Sequence, residues 1–301
     1  MSVTTLSPTE RTSSAAGYTG AIVTVLIWAT WVLATRHTAS TSLTTIDVGL
    51  LRYGVPAIFL APIWLRMGLF PKGVPLRLIV VMVAGAGALF FQVTAHALHS
   101  TPAAAGGILL GGSMPLATAV IGIVLFGERP DRMRVLGLVA ILAGLAILLG
   151  KAVVTGGMTL AGFVLLPLGG LLWAGYTHAF RRSGLSPLQG GALITTWSTL
   201  IHLALAAFFG TTLAAAPLSE VAVQFTSQGI LSGLVATFAY GTAIRALGGT
   251  QAAAFTAITP VLVTLGGGLL LGEPLGMTEM VAAVVTGAGV ALSTGILSKR
   301  A

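Results

Sequence analysis

Ten long apolar runs occupy most of this sequence and leave little chain for anything else. Breaks at Pro, Gly and charged clusters place them at 18–35, 46–65, 78–98, 102–126, 134–150, 160–180, 189–209, 228–246, 250–271 and 278–297. About 20 residues in a helix cross the hydrocarbon core of a bilayer, so each run is long enough to span, the fifth being the shortest. None alternates with period two, which argues against the strands of a membrane β-barrel. Only 7% of the 301 residues are charged, against about 25% in a soluble domain. Lipid is therefore the expected solvent. The expected fold class is an all-α integral membrane protein with ten transmembrane helices.

The polar stretch Ser2–Ala16 reads as a disordered cytoplasmic tail reaching to residue 17. A cleaved signal peptide is not expected there, because the first run is too long for an h-region and leads straight into further spans. The runs leave no space for a nucleotide-hydrolysing domain, and no Gly-x-x-x-x-Gly-Lys-Ser/Thr occurs. The absence of cysteine excludes disulfides, thiol catalysis and Cys-ligated metals.

The formal net charge of +8 raises nucleic acid as a partner, and the position of the bases answers it. With the N-terminus inside, twelve of the fifteen bases fall on the cytoplasmic side: Arg11, Arg66, Lys72, Arg77, Arg129, Arg132, Arg134, Arg181, Arg182, Arg245, Lys299 and Arg300. The outer connections hold only Arg36 and Lys151, and Arg52 lies within a span. The basic balance is thus a topology signal that puts both termini in the cytoplasm of an inner-membrane protein, with no nucleic-acid partner expected.

Shifting the sequence along itself by 145 residues aligns Trp28-Ala29 with Trp173-Ala174, Arg36 with Arg181, Pro115 with Pro260 and Gly122 with Gly267. The same shift aligns Leu125 with Leu270, Gly127-Glu128 with Gly272-Glu273, and Gly144 with Gly289. One five-helix unit, at 18–150, is therefore used again at 160–297. Because five is odd, the second copy must enter from the opposite side, so the repeats are inverted. Inverted repeats recur in secondary transporters, where two halves of opposite orientation exchange conformations around a shared site and so give alternating access.

A Trp in the first helix of each half, a mid-helix Pro in the fourth (Pro115, Pro260) and the Gly-Glu that follows it resemble EamA-type members of the drug/metabolite transporter superfamily. The resemblance covers both halves, from Tyr18 to Leu297. Within that superfamily the chain is most similar to the ten-helix bacterial amino-acid and metabolite exporters of the YddG type. The resemblance implies export of neutral or aromatic amino acids.

Polar groups inside a span are costly and mark candidates for the substrate path. In the third run Gly85, Leu89, Gln92, His96 and His99 share one face, so Gln92 and His96 either line a cavity or serve as hydrogen-bond partners between helices. His96 and His99 resemble a metal pair, but no cysteine or nearby acid completes a tetrahedron, and neither metal nor cofactor is expected. In the first run Thr24, Trp28, Trp31 and Thr35 form a stripe; in the sixth, Trp173, Tyr176 and Phe180 do. Trp28 and Trp173 lie too deep for an interfacial belt and are either core or flat walls for an organic substrate. Arg52 has three readings: snorkelling to the surface, pairing with Asp47, or holding a substrate carboxylate. In the eighth run Ser232, Thr237 and Tyr240 add polar groups, Tyr240 being a substrate-site candidate; His178 and His202 are further buried polar candidates.

Pro115 removes the donor for Gly111, and Pro260 that for Thr256, so the fourth and ninth helices are expected to bend near mid-membrane as a gate. The small residues Ala140, Gly144, Ala283, Gly287 and Gly289 read as packing seams within or between protomers, with a monomer as the default and a homodimer as the alternative. All seven acids lie in the tail, the loops or the helix ends, so no intramembrane carboxylate relay is available to a proton pump. The expected partners are the bilayer and a small organic substrate exported down its own gradient. A nucleotide-sugar-type antiporter or a metabolite importer is the nearest alternative, although Arg52 alone would serve the phosphates; a channel or a membrane enzyme lies further off. No Ser/His/Asp set or carboxylate pair converges within the spans, so no catalytic residue is assigned.

Overall fold

In the computed structural model, residues 14–155 and 159–296 are described, and each of the ten apolar runs is helical. The chain forms α1 (Ser14–His37), α2 (Thr45–Phe59), α3 (Ala61–Met67), α4 (Leu76–Ala86), α5 (Ala88–His99), α6 (Ala103–Phe126) and α7 (Arg132–Thr155). The second half holds α8 (Leu160–Ser183), α9 (Pro187–Phe209) and α10 (Leu218–Gln224), a π-helical stretch over Phe225–Val235, then α11 (Ala236–Leu247), α12 (Gly249–Phe255), α13 (Thr259–Leu271) and α14 (Met277–Ser293). Among the described residues, eight helical stretches are long and apolar enough to cross a membrane. The pair α2–α3, bent by 74°, makes a ninth if taken as one span, and α14 is a shorter apolar helix.

Several boundaries differ from the sequence expectation. Helix α1 already begins at Ser14, so the last residues assigned to a disordered tail are helical; residues 1–13 lie outside the described set. Run five extends to 24 residues in α7, which adds Arg132 and Met133 before the run and Lys151 to Thr155 after it. In the second run the chain breaks at Leu60, two residues before Pro62, whose missing N–H leaves a carbonyl unmatched. There the Trp64 indole N–H donates to the Ala57 carbonyl at 2.9 Å.

A break in the third run, at Gly87, was not foreseen. The Ala88 N–H, freed there, donates to Ser198 Oγ at 3.0 Å, and the Tyr53 hydroxyl donates to the Gly87 carbonyl at 2.8 Å beside the Phe91 N–H at 3.0 Å. A Cβ on Gly87 would sit 2.2 Å from that Oγ, so glycine is required for the approach. The position 145 residues on, Ser232, falls in the π-helical stretch, so equivalent helices of the two halves are both irregular at the same level.

Pro115 does not interrupt its helix. Helix α6 runs unbroken from Ala103 to Phe126, because a single lost hydrogen bond is tolerated within a tightly packed span. In the ninth run the expected irregularity is present: a 3₁₀ turn over Thr256–Ile258 precedes Pro260, which occupies the first turn of α13. Gly111 lies where α6 meets α13, a Cβ there coming 3.2 Å from Pro260 Cγ.

Helices α7 and α14, the equivalent last helices of the two halves, pack backbone to backbone along a glycine seam. A Cβ on Gly137 would lie 2.7 Å from the Gly289 carbonyl, and one on Gly144 2.9 Å from that of Ala282. The seam read from Gly144, Ala283 and Gly289 is therefore internal to the chain.

Asp47, 0% exposed, ties the start of α2 to the loop after α9. Its carboxylate accepts from the Thr44 N–H at 2.8 Å and hydroxyl at 2.7 Å, from the Thr212 hydroxyl at 2.7 Å and from the Thr211 hydroxyl. Thr44 and Asp47 also form the capping box of α2. Replacing Asp47 with Ala orphans these donors, and we expect a loss of about 2–4 kcal/mol, read as a lowered Tm in detergent.

Candidate substrate site

Arg52 stands on α2 and points across the bundle toward the second half of the chain. Its Nη1 donates to Gln228 Oε1 at 3.0 Å and to Ser232 Oγ at 2.9 Å, both on the π-helical stretch. Gln228 is fully buried and its Nε2 donates in turn to Thr35 Oγ1 of α1 at 2.9 Å. Three rings surround the guanidinium: Trp31 with its centroid 5.1 Å from Cζ, and Tyr53 and Phe91, each at 5.6 Å. Ring faces within about 6 Å attract a cation and hold it without neutralising it.

Arg52 neither snorkels nor pairs with Asp47, the two structural readings of the sequence. Asp47 is fully engaged by Thr44, Thr211 and Thr212, and the ion pairs among the described residues are Arg36–Glu273 and Lys151–Glu279. The Arg52 Nε and the Trp31 Nε1 are buried donors without a hydrogen-bond partner. A positive charge thus stands between the two halves with donors left over and, among the described residues, no acid paired with it.

An aromatic chain leads away from it. Trp31 stacks on Phe90 at 5.9 Å, Phe90 meets Trp173 at 5.4 Å, Trp173 meets Tyr176 at 5.1 Å, and Tyr176 stacks on Phe180 at 5.8 Å. Trp28 lies against Tyr240 at 5.3 Å. Trp28, Trp173, Tyr176 and Tyr240 are all half-buried. The structure therefore joins Trp31 and Arg52 directly, links Trp173 and Tyr176 to them through Phe90, and pairs Trp28 with Tyr240.

Gln92 reaches this cluster only through His202, whose ring lies 5.5 Å from that of Tyr53 and 6.1 Å from that of Phe91, and His96 is not brought to it. The Gln92 amide accepts from Thr45 Oγ1 at 2.7 Å and donates to the Thr45 carbonyl at 3.0 Å. It also lies 2.9 Å from His202 Nε2. The His202 Nδ1 is 2.7 Å from the Ser198 carbonyl, so Nδ1 carries the proton and Nε2 accepts from Gln92. This network clamps α2, α5 and α9, and Gly49 leaves the space that the His202 ring occupies. Gln92 also borders an apolar groove of about 920 Å³ lined by α4, α5 and α9 residues such as Ile79, Leu89 and Trp197. His96 is exposed on α5. The shared face read for the third run holds from Leu89 to His99, within α5; the break at Gly87 separates Gly85 from it.

Four residues of the cluster were missed in the sequence. Gln228 opens the eighth run and gives no periodic signal; Phe90, Phe91 and Tyr53 are aromatic residues that nothing in the sequence singles out. Arg36 and Glu273, each noted in the repeat, were not recognised as partners.

The sequence pattern that defines the EamA-like transporter family matches this chain twice, over residues 15–150 and 160–295. The chain belongs to the EamA-like transporter family. An uncharacterized protein of Pseudomonas aeruginosa, PA1977, is 33% identical over 212 residues, covering 69% of this chain and 71% of that one. A crystal structure of another protein superposes with a TM-score of 0.65 at 21% identity, over 94% of this chain and 99% of that one, a likeness of fold. The two family matches coincide with the two halves read from the 145-residue offset. This EamA-like transporter is accordingly a multi-pass membrane protein that carries small molecules, and its membership is consistent with the absence of an assigned catalytic residue.

Proposed function

We propose that this EamA-like transporter is a secondary carrier that exports small organic metabolites, foremost neutral or aromatic amino acids, by alternating access between two inverted five-helix repeats. The observation that carries this reading is Arg52. A carboxylate is the group that a cation with free donors and no acid partner is built to receive, in a charge-assisted and possibly two-pronged pair. Gln228 and Ser232 fix the guanidinium from one side, and the rings of Trp31, Phe90, Trp173 and Tyr176 offer an apolar wall for a side chain.

Every described acid stands in a loop or in the first turn of a helix, which favours a carrier driven by the substrate gradient over a proton pump. The distribution of Lys and Arg supports an inner-membrane orientation with both termini in the cytoplasm. Purified protein in sealed liposomes is expected to exchange labelled aromatic or neutral amino acids for the same unlabelled solute, without ATP or an imposed proton gradient. Flux that appears only with a proton gradient contradicts the gradient-driven mechanism, and the absence of counterflow for any carboxylate-bearing solute contradicts the assignment of Arg52.

A further inference from the structure

The two halves carry the same Gly-Glu corner, and only one of the two is engaged. After α6, Gly127 takes φ 65° and the Glu128 N–H closes on the Gly122 carbonyl at 3.0 Å. After α13, Gly272 takes φ 66° and the Glu273 N–H closes on the Gly267 carbonyl, also at 3.0 Å. Positive φ is the reason for glycine at both corners. Both carboxylates fold back over equivalent glycines: a Cβ on Gly122 would meet Glu128 Oε2 at 2.6 Å, and one on Gly267 would meet Glu273 Oε2 at 3.2 Å.

The local geometry repeats, but the surroundings do not. Glu273 Oε1 accepts from Arg36 Nε at 2.7 Å, and Oε2 accepts from the N–H of Ala103, the first residue of α6, at 2.7 Å. Arg36 Nη1 also donates to the His99 carbonyl at the end of α5, at 2.6 Å. This cluster draws the ends of α1, α5 and α13 and the start of α6 together at one end of the bundle. Displaced by 145 residues, the matching parts are Arg181, Glu128, the end of α11 and the start of α12. Arg181 and Glu128 are both exposed, and no ion pair joins them. Helix α1 rests on α5 and α6, whereas its counterpart α8 makes no comparable contact with α11 or α12.

We propose that Arg181 and Glu128 are the second of two alternating latches. When the Arg36–Glu273 pair opens, Arg181 pairs with Glu128 and draws α8, α11 and α12 together at the opposite end, so the two ion pairs exclude one another. The exchange breaks one charge pair and makes an equivalent one, which keeps the two conformations close in free energy and lets a substrate bias them. The proposal rests on the carrier reading above and adds a device that this reading does not require.

The chain has no native cysteine, so two double-cysteine pairs can be compared in the full-length protein in membrane vesicles. The Arg36→Cys/Glu273→Cys pair and the Arg181→Cys/Glu128→Cys pair are both expected to be bridged by a bifunctional thiol reagent whose span matches an Arg–Glu ion pair, which is longer than a disulfide. With all four cysteines in one chain, each molecule should carry one bridge or the other. Separately, Arg181→Glu is expected to slow transport about tenfold, and adding Glu128→Arg to restore it to within about twofold. An Arg181/Glu128 pair that never bridges under conditions where the other pair does, two bridges in one molecule, or no recovery in the charge swap overturns the proposal. Cross-linking needs no substrate, so a failed latch in a protein that still transports is distinct from a protein that moves no solute.

Discussion

Replacing Arg52 with glutamine is expected to lower transport of a carboxylate-bearing solute by about two orders of magnitude while leaving the protein folded. The size follows from what is removed. Arg52 is the half-buried cation between the halves, its neighbours are rings and two neutral side chains, and no described acid takes part in its charge. A charge-assisted bond formed away from water and lost entirely costs about 2–3 kcal/mol or more, which is the expected fall in rate. Folding is spared because glutamine keeps a donor for Gln228 or Ser232, and because removing an unneutralised charge from a span relieves a cost. Arg52→Lys should retain part of the activity as a point charge without the forked geometry. The check is initial-rate counterflow in liposomes with matched protein content. Unaltered flux in Arg52→Gln would detach the site from this cluster.

The second large effect is expected at the glycine seam between α7 and α14. A single added Cβ at Gly137 would lie 2.5 Å from the Ser293 backbone nitrogen, and one at Gly289 would lie 2.6 Å from that of Ile141. Backbone cannot swing aside as a flexible side chain does. The helices must separate, and dispersion contacts along both are lost, since lipid gives no hydrophobic drive to bring them back. Gly137→Val with Gly289→Val should therefore cost about 3 kcal/mol or more and sharply reduce the monodisperse fraction in detergent. Gly150, on the same α7, has nothing within 4 Å of its would-be Cβ, and Gly150→Ala serves as the control that should leave yield unchanged. Equal losses in both would attribute the effect to helix chemistry and not to the seam.

Runs and repeats were legible in the sequence because both are written in one dimension. Apolar length marks a helix, and a constant offset marks a duplication, as at Gly127-Glu128 and Gly272-Glu273. The proposed site was legible only where a residue is anomalous by itself. Arg52 stands out as a base within a span, and Trp31 or Trp173 as an aromatic at depth. Gln92 was anomalous too, but its partners, Thr45 and His202, lie 47 and 110 residues away, and only the fold shows that they satisfy it. The break at Gly87 escaped notice because glycine also permits close packing, and only Tyr53 and Ser198, from other helices, make a break tolerable there. Pro115 illustrates the reverse: a residue that reads as a breaker passes within α6, a helix that packs chiefly on α8 and α13.

The proposed alternating access requires two like halves mounted in opposite senses, and equivalent positions in them test that directly. Ser100 and Arg245 are 145 residues apart and both exposed, Ser100 capping the end of α5 and Arg245 in the last turn of α11. Single cysteines placed at these two positions and treated with a membrane-impermeant thiol reagent in intact cells should behave oppositely, Ser100→Cys labelling from outside and Arg245→Cys only after the membrane is opened. Labelling of both from the same side would contradict the inverted arrangement, and with it the alternating-access mechanism built on it.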